Sequence, residues 1–335
     1  MIESVGVTLF INPAYEQALP YPASYVSGPL LPYTGAYDFR QRLLNLVDLT
    51  LNLCKTPFYN KDLKSIADEN SQGSKFPCAV FSSRVRENPL RFAAKMSNVT
   101  NYFVNDDVNL LPVRPVYNSL FQVRPSFSGL KLTAGQFWQK DTLVDLPQDV
   151  KEFINKDSRG VILVTMSTMS DAIHMPLRFT EFRILWKFER DLSELTNCTH
   201  IKLVKWLPLR TMLGHPKTVA LVTHGGINSV IEAAYAGIPL IGIPLYGDQP
   251  GVLARAKVWN AAEVVSKEDL SVATFYAALK RVLYGKRTKQ GVEQLRSFVI
   301  DRLITPSEEN LFWAEHTLRH KGPWLRKLRG SKLNF

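Results

Sequence analysis

The sequence predicts an α/β protein whose second half folds as a doubly wound, Rossmann-like domain around a parallel sheet. From about residue 145 onward, short apolar runs rich in β-branched residues alternate with amphipathic segments. The apolar runs are continuous, which is typical of parallel strands that helices bury on both faces. Ligands of such sheets bind beyond the C-terminal ends of the strands.

The elements of this half follow from the same patterns. Strands are predicted, in chain order, at Val161–Val164, Arg183–Phe188, Ile201–Val204, Val219–Val222 and Leu240–Ile243. Helices are predicted at Gln148–Asn155, Asn228–Ala236, Gly251–Asn260, Ser271–Leu283 and Val292–Leu303. The 18 residues from Thr165 to Phe182 are enough for a parallel crossover with a short helix, because a crossover needs about a dozen residues.

Residues 1–140 are rich in proline and show few clean periodicities. The best helix in this part is predicted at Phe39–Leu53, whose apolar positions share one face. A length of 335 residues exceeds one ordinary core and indicates two domains.

The composition is that of a soluble globular protein with a basic surplus. Hydrophobic residues make up 45% and charged residues 21%, and the net charge is +11. The surplus fits a partner that carries phosphates or anionic lipid, and it equally fits a solvated basic surface. No basic–aromatic array matches a nucleic-acid module, so no nucleic-acid partner is expected.

Metal sites and membrane spans are not expected either. The three cysteines, Cys54, Cys78 and Cys198, lack the spacing of metal ligands. The first residues do not form a signal peptide, and no stretch reaches the roughly 18 apolar residues that a bilayer span needs. We therefore expect a soluble or peripheral chain.

The segment Trp206–Gln249 contains most of the candidate ligand-binding residues. A buried strand, Val219–Val222, runs into the sharp turn Thr223-His224-Gly225-Gly226, whose two glycines allow close approach of a ligand. The helix that follows stops at Gly237, a natural residue just past a helix end.

That helix has an apolar face (Ile227, Val230, Ile231 and Ala234) and a polar face (Asn228, Ser229 and Glu232). The unpaired N–H groups of its first turn and its dipole favour an anion. Glu232, one turn deeper, can accept from two adjacent hydroxyls such as those of a ribose. The pattern indicates a diphosphate-plus-ribose site; the alternative is a plain strand–turn–helix in which these residues only cap.

The whole segment resembles the signature of the UDP-glycosyltransferases, in particular the animal UDP-glucuronosyltransferases. The matching residues are Trp206-Leu207-Pro208, His215-Pro216, Thr223 to Gly226, Ser229 with Glu232, Gly237-Ile238-Pro239, and Pro244 with Asp248-Gln249. Looser matches lie at Tyr21–Val26 and at Arg319–Gly322.

The resemblance implies a GT-B-type fold, in which two Rossmann-like domains enclose a cleft. It implies a partial N-terminal acceptor-binding domain over residues 1–140, a UDP-sugar-binding domain over 141–305, and a C-terminal helix with a basic tail over 306–335. On this interpretation the N-terminal domain is incomplete and the chain is truncated at both ends.

The resemblance also implies roles for individual residues. By this resemblance, Trp206 would stack on uracil and Glu232 would hold the ribose. The diphosphate loop would be lined by Thr223, His224 and Gly226, with Asn228 and Ser229 donating to phosphate and Lys187 as a basic residue nearby. The donor sugar would be bound by Asp248 and Gln249, and Thr165 would begin a loop beside the donor. Two alternatives stay open: Trp206 as a core residue and Asp248 as a helix cap.

The implied reaction transfers glucose or glucuronate from UDP-glucose or UDP-glucuronate to the hydroxyl of a small lipophilic acceptor, with inversion and without a metal or other cofactor. The resemblance further implies the endoplasmic reticulum membrane or lumen as location, and homo- or hetero-oligomers with family members.

Three departures from the family pattern bear on this. Leu209 stands where the family has Gln, and Ser167 stands where it has Gly. The family uses an N-terminal His, oriented by an Asp, as the general base, whereas no histidine precedes His174. No catalytic residue is therefore assigned, and a non-catalytic UDP-sugar-binding or regulatory relative is the alternative. A dinucleotide-dependent oxidoreductase ranks below both, because no G-x-G-x-x-G follows a predicted strand.

Overall fold

The computed structural model describes residues 2–5, 31, 37–48, 101–104, 130–132, 145–156, 158–166, 179–188 and 198–319. The chain divides into two compact units. The first contains a three-stranded parallel sheet of β1 (Ile2–Val5), β2 (Asn101–Val104) and β3 (Leu130–Leu132), in that order. It also contains helix α1 (residues 39–48) and most of helix α8 (Pro306–Arg319).

The second unit is built on a six-stranded parallel sheet. Its strands are β4 (Val161–Val164), β5 (Arg183–Lys187), β6 (Ile201–Val204), β7 (Thr218–Thr223), β8 (Leu240–Gly242) and β9 (Ala262–Val264). Their spatial order is β6-β5-β4-β7-β8-β9. The chain therefore builds outward from β4 on one side and then returns to build outward from β7 on the other, which is the doubly wound order.

Six helices of this unit lie within the residues that the structure describes. They are α2 (Gln148–Asn155), α3 (Leu209–Leu213), α4 (Ile227–Ala236), α5 (Gln249–Val258), α6 (Val272–Tyr284) and α7 (Lys286–Ile300). In the described part of the chain, no helix combines the length and the apolar character needed to cross a bilayer.

Successive residues of the central strand β4 feed two separate cores. Val161 and Leu163 face the core that α2, α3, α4, α5 and α7 cover, whereas Ile162 and Val164 face the core that α6 covers. All four side chains are buried. Burial on both faces explains why the strand is a continuous apolar run, and the predicted α/β class with a parallel sheet is confirmed.

Most predicted elements lie where the sequence places them, with shifts at the ends. The strands Val161–Val164 and Ile201–Val204 and the helix Gln148–Asn155 have the predicted bounds. Helix α5 begins two residues before the predicted Gly251, because Pro250 lies in the first turn of the helix, where its missing N–H costs nothing.

Several predictions fall outside the described residues. These are the end of the Phe39–Leu53 helix after residue 48, the crossover helix between β4 and β5, Cys54, Cys78, Ser167, and the segments Tyr21–Val26 and 320–335. The domain boundaries at residues 140 and 305 stay predictions.

Candidate functional site

The predicted site residues follow the C-terminal ends of five strands of the six-stranded sheet. Thr165 follows β4, Lys187 ends β5, and Trp206 follows β6. Thr223 ends β7 and residues 224–232 follow it, and residues 248–249 follow β8. Because all these strands are parallel, their C-terminal ends share one edge. β4 and β7 are neighbours across the point where the winding reverses, which is where ligands of doubly wound sheets bind.

Hydrogen bonds join the two strands at this point. The backbone N–H of Thr165 donates to the carbonyl oxygen of Val222 at 2.9 Å, and the Thr165 hydroxyl donates to the same oxygen at 3.3 Å. Thr223, the last residue of β7, is fully buried. Its hydroxyl oxygen accepts from the N–H of Gly225 at 3.3 Å and so holds the turn in its sharp bend.

The first glycine of the turn is required by its surroundings. Gly225 has φ +89°, which side chains rarely tolerate, and a β-carbon there would collide with the side chain of Leu253 in α5. The same leucine fills the space beside Gly242, the last residue of β8. Helix α5 therefore packs tightly against the turn and the neighbouring strand.

Helix α4 presents an open N-terminus to this edge. Its N-cap is Gly226, which has no side chain with which to cap the first turn. The positive end of the helix dipole therefore favours an anion at this edge. Asn228 and Ser229 occupy the second and third positions, exposed and partly exposed. The helix ends at Gly237, in the left-handed conformation with φ +72°, as the sequence predicts.

The opposite face of α4 anchors it to the sheet. The four residues predicted to form its apolar stripe, Ile227, Val230, Ile231 and Ala234, are all buried in one core. The position of the polar face at the sheet edge is therefore set by packing.

His224 lies half-buried inside the turn. Burial lowers the pKa of its imidazole below the ordinary value of 6.5, while a hydrogen bond to the backbone of Thr165 and the charge of Asp248 act in the opposite direction. Nε2 of His224 lies 2.8 Å from where a β-carbon on Gly226 would stand. The second glycine of the turn thus makes room for the imidazole.

Glu232 is largely buried and faces Arg210 of helix α3. Nε of Arg210 lies 4.0 Å from Oε1 of Glu232, and the two side chains are only 22% and 24% exposed. Burial raises the pKa of the Glu232 carboxyl, and the arginine charge partly opposes that rise. A partly desolvated carboxylate of this kind is a strong acceptor for hydroxyl groups.

Trp206 and Lys187 form a pair at the ends of β6 and β5. The Trp206 ring is 75% exposed, so the alternative that it is a core residue is wrong. Nζ of Lys187 lies 5.4 Å from the centre of that ring, within the range of a cation–π contact. The contact of Lys187 seen here is thus with the indole.

Asp248 and Gln249 stand at the start of α5. Asp248 occupies the N-cap position of α5, as the helix-cap alternative expects, but its backbone is helical (φ −80°, ψ −10°) and its side chain makes no capping hydrogen bond. Gln249 is buried, and its Oε1 accepts from the N–H groups of Leu245 at 2.8 Å and Tyr246 at 3.1 Å. It therefore shapes the loop after β8, and its amide NH2 is the group left to donate to a ligand.

Sequence reasoning missed Arg210 and Leu253. Arg210 follows Leu209 in a helix of five residues, which is too short to show a periodicity. Leu253 was assigned to a helix, but the two glycines beside it come from the turn after β7 and from β8, and they carried no signal of a shared partner. In the described part of the chain, no cluster of three or more His, Cys, Asp or Glu side chains is placed to hold a metal ion.

Comparison with known proteins agrees with this geometry. Residues 11–333 match the family model described as UDP-glucoronosyl and UDP-glucosyl transferase. UDP-glucuronosyltransferase 2C1 of Oryctolagus cuniculus is 34% identical over 313 residues, which cover 91% of this chain and 57% of that protein. UDP-glucuronosyltransferase 2B7 of Homo sapiens is 34% identical over 186 residues, which cover 53% of this chain and 35% of that protein.

The fold has solved counterparts. The crystal structure of UDP-glucose: anthocyanidin 3-O-glucosyltransferase in complex with UDP superposes with a TM-score of 0.55 at 21% identity, over 74% of this chain and 58% of the other. At this identity the likeness concerns the fold, which is the α/β fold of GT-B-type glycosyltransferases. The family match spans nearly the whole chain, and the chain belongs to the UDP-glucuronosyl and UDP-glucosyl transferase family.

Proposed function

We propose that this chain binds a UDP-sugar at the C-terminal edge of the six-stranded sheet and acts in glycosyl transfer. The observation that carries the proposal is the position of the N-terminus of α4 directly after the turn at Gly225 and Gly226, with the Glu232 carboxylate one turn further along. A diphosphate suits the N-terminus of a helix, and a ribose offers the adjacent hydroxyls that a carboxylate accepts.

The remaining site residues supply the two ends of the ligand. Trp206 offers an exposed aromatic face on which uracil stacks. The cation–π contact of Lys187 with the same ring helps to hold the indole in place. At the other end, Asp248 accepts from hydroxyls of the sugar and the amide NH2 of Gln249 donates to them. These groups suit both UDP-glucose and UDP-glucuronate.

In the proposed reaction, the hydroxyl oxygen of a small lipophilic acceptor forms a bond to the anomeric carbon of the sugar, with inversion. The bond between that carbon and the diphosphate oxygen breaks, and UDP leaves. The hydroxyl proton passes to a general base, to which no residue of this chain is assigned. Negative charge develops on the diphosphate as the bond breaks. The N–H groups of α4, the side chains of Asn228 and Ser229, and the turn that His224 shapes stabilise that charge. No metal ion has a role in the proposal, and the UDP-sugar is a co-substrate.

A second candidate function is a non-catalytic UDP-sugar-binding or regulatory relative that associates with other family members. The specific observation in its favour is that none of the first 173 residues is a histidine, while the family reaction uses a histidine base in its N-terminal part. The chain spans 35–57% of the length of the two curated relatives given above. Glycosyl transfer by this chain is therefore a proposal that needs a direct test.

The resemblance to animal UDP-glucuronosyltransferases supports a location at the endoplasmic reticulum, in its membrane or lumen. Microscopy of the tagged chain against an endoplasmic reticulum marker tests this, and a uniform cytosolic signal would contradict it.

Calorimetry with UDP tests the binding site. The 335-residue chain should bind UDP with a dissociation constant between about 1 µM and 1 mM, and chelation of divalent metals should leave the affinity unchanged. Glu232→Ala and His224→Ala should each weaken binding about tenfold or more. Glu293→Ala, on the exposed face of α7, and His316→Ala, in α8, are matched controls that should bind normally. Absence of UDP binding by the folded wild-type chain would refute the proposal.

Turnover separates the two candidate functions. The purified chain is incubated with UDP-glucose or UDP-glucuronate and a panel of phenolic acceptors, and released UDP and glycosylated product are measured. If the wild type forms product and the Glu232→Ala variant does not, the result supports the transferase function and excludes the non-catalytic one. UDP binding without product from any acceptor supports the non-catalytic relative.

A further inference from the structure

Arg210 and Glu232 bring a cation to the carboxylate of the proposed ribose site. Arg210 is the second residue of the short helix α3, and Glu232 lies on the polar face of α4. Their ion pair, with Nε and Oε1 at 4.0 Å, is mostly shielded from solvent. The two helices pack against each other, so the pair joins elements that the sheet holds in place.

The shielding makes the partner of Glu232 important. A carboxylate withdrawn from water is costly unless a cation offsets the lost hydration. At 4.0 Å, the contact between Nε and Oε1 is longer than a hydrogen bond. An ionised carboxylate accepts hydrogen bonds along about four lone-pair directions. The arginine therefore neutralises Glu232 while leaving acceptor positions for hydroxyl groups.

We propose that Arg210 is a positioning residue for the nucleoside: through its ion pair it keeps the Glu232 carboxylate charged and in place to accept from both ribose hydroxyls. This inference rests on the proposed UDP site. Leu209 stands where the family pattern has a polar Gln. Arg210, one residue later in the same short helix, supplies a polar side chain that acts through Glu232.

A ligand that lacks the ribose hydroxyls isolates this role. The 335-residue chain and its variants are titrated with UDP and with 2′,3′-dideoxy-UDP, and the ratio of the two dissociation constants is the readout. The wild type should prefer UDP about 10- to 100-fold, the effect of hydrogen bonds to a charged group. Arg210→Gln should lower that preference about fivefold or more, while changing the affinity for the dideoxy analogue less than about twofold. Arg210→Lys, which keeps the positive charge, should retain most of the preference.

Arg296→Gln is the matched control. Nε of Arg296 donates to the carbonyl oxygen of Tyr235 at 3.1 Å, near the C-terminal end of the same helix α4. It supports the helix without facing Glu232. The preference of this variant for UDP should equal that of the wild type.

A double variant keeps the test decisive if Arg210→Gln alone does not fold with an unpaired buried carboxylate. Arg210→Gln/Glu232→Gln removes both charges, and its preference for UDP should equal that of Glu232→Gln alone. A further loss in the double variant would show that Arg210 does not act through Glu232, and it would overturn the inference.

Each of the remaining outcomes would overturn the inference. Equal weakening of both ligands by Arg210→Gln, or an equal loss of preference in Arg296→Gln, would assign Arg210 a merely structural role and overturn the inference while leaving the UDP site intact. A wild type that binds UDP and its dideoxy analogue equally would do the same. A folded wild type that binds neither would overturn the proposed function itself, and this inference with it.

Discussion

The side-chain oxygen of Gln249 accepts a hydrogen bond from the backbone N–H of Leu245 at 2.8 Å. The same oxygen accepts from the N–H of Tyr246 at 3.1 Å. Since both partners are donors, the orientation of the amide is determined: its oxygen faces the loop after β8 and its NH2 faces away. One side chain thus has a supporting role in the loop and, in the proposed site, a binding role toward the donor sugar.

Substitution of Gln249 separates these two roles. Gln249→Glu keeps acceptors for both N–H groups but cannot donate, whereas Gln249→Ala loses the acceptor as well. We expect Gln249→Ala to lose about 1–3 kcal/mol of unfolding free energy, and Gln249→Glu to lose less. Gln249→Glu should weaken the binding of UDP-glucose more than the binding of UDP. Denaturant unfolding and calorimetry measure the two effects; a glutamate variant with an unchanged ratio of the two affinities would contradict the binding role.

The turn after β7 should reject any side chain at its first glycine. Gly225→Ala combines a strained φ of +89° with a collision against Leu253. We expect it to lose about 2–5 kcal/mol, from a left-handed backbone penalty and overpacking together. Gly247→Ala is the control, since φ there is +66° but nothing lies within 4 Å of the new β-carbon. It should lose only about 1–2 kcal/mol. Equal losses in urea unfolding would show that the leucine contact is unimportant.

The stability of the chain should depend on pH through His224. Burial lowers the pKa of this imidazole below 6.5, so the unfolded chain binds the proton more readily than the folded one. The contribution of His224 is therefore complete above pH 6.5 and is lost as the pH falls through the lowered pKa, at up to about 1.4 kcal/mol per pH unit.

Unfolding free energies at about pH 7.5 and about pH 5 test this prediction. The drop between the two should be smaller in His224→Gln than in the wild type. An identical drop in the two proteins would mean that His224 titrates alike in the folded and unfolded chains.

Trp206 should matter for binding and hardly for folding. Its ring is 75% exposed, so Trp206→Ala should change the unfolding free energy by no more than about 0.5 kcal/mol. Loss of a base-stacking platform should weaken UDP binding by about 1–3 kcal/mol. Trp259→Ala gives the opposite pattern, because Trp259 packs on Phe298 and against the core and has no place in the proposed site. A Trp206 variant with wild-type affinity for UDP would exclude base stacking on this ring.

The parts of the fold that could be predicted are those in which burial alone dictates the pattern. Val161–Val164 is apolar at every position because both faces of β4 are covered. Helix α4 shows its two faces in the sequence because one packs on the sheet and the other lies at its edge. Glu232 lies on α4 and His224 lies in the turn between β7 and α4, so the sequence was enough to bring them to one edge.

The parts that could not be predicted depend on contacts between distant segments. Helix α7 begins at Lys286, well before the predicted Val292, and runs through Gly291. A β-carbon at Gly291 would collide with the backbone carbonyl of Trp259, so the glycine permits close packing where the sequence suggests a break. Strand β9, with three residues, is too short for a pattern. The role proposed for Arg210 depends on its ion pair with Glu232, which the fold places opposite it.

Leu253 makes two positions in the chain depend on each other. A methyl group added at Gly225 or at Gly242 meets the same leucine, although the two glycines are 17 positions apart in sequence (242 − 225). Trimming Leu253 to alanine relieves either collision, so the effects of these changes will not add. In evolutionary terms, a smaller residue at 253 would open Gly242 to substitution, whereas Gly225 would stay constrained by its φ of +89°.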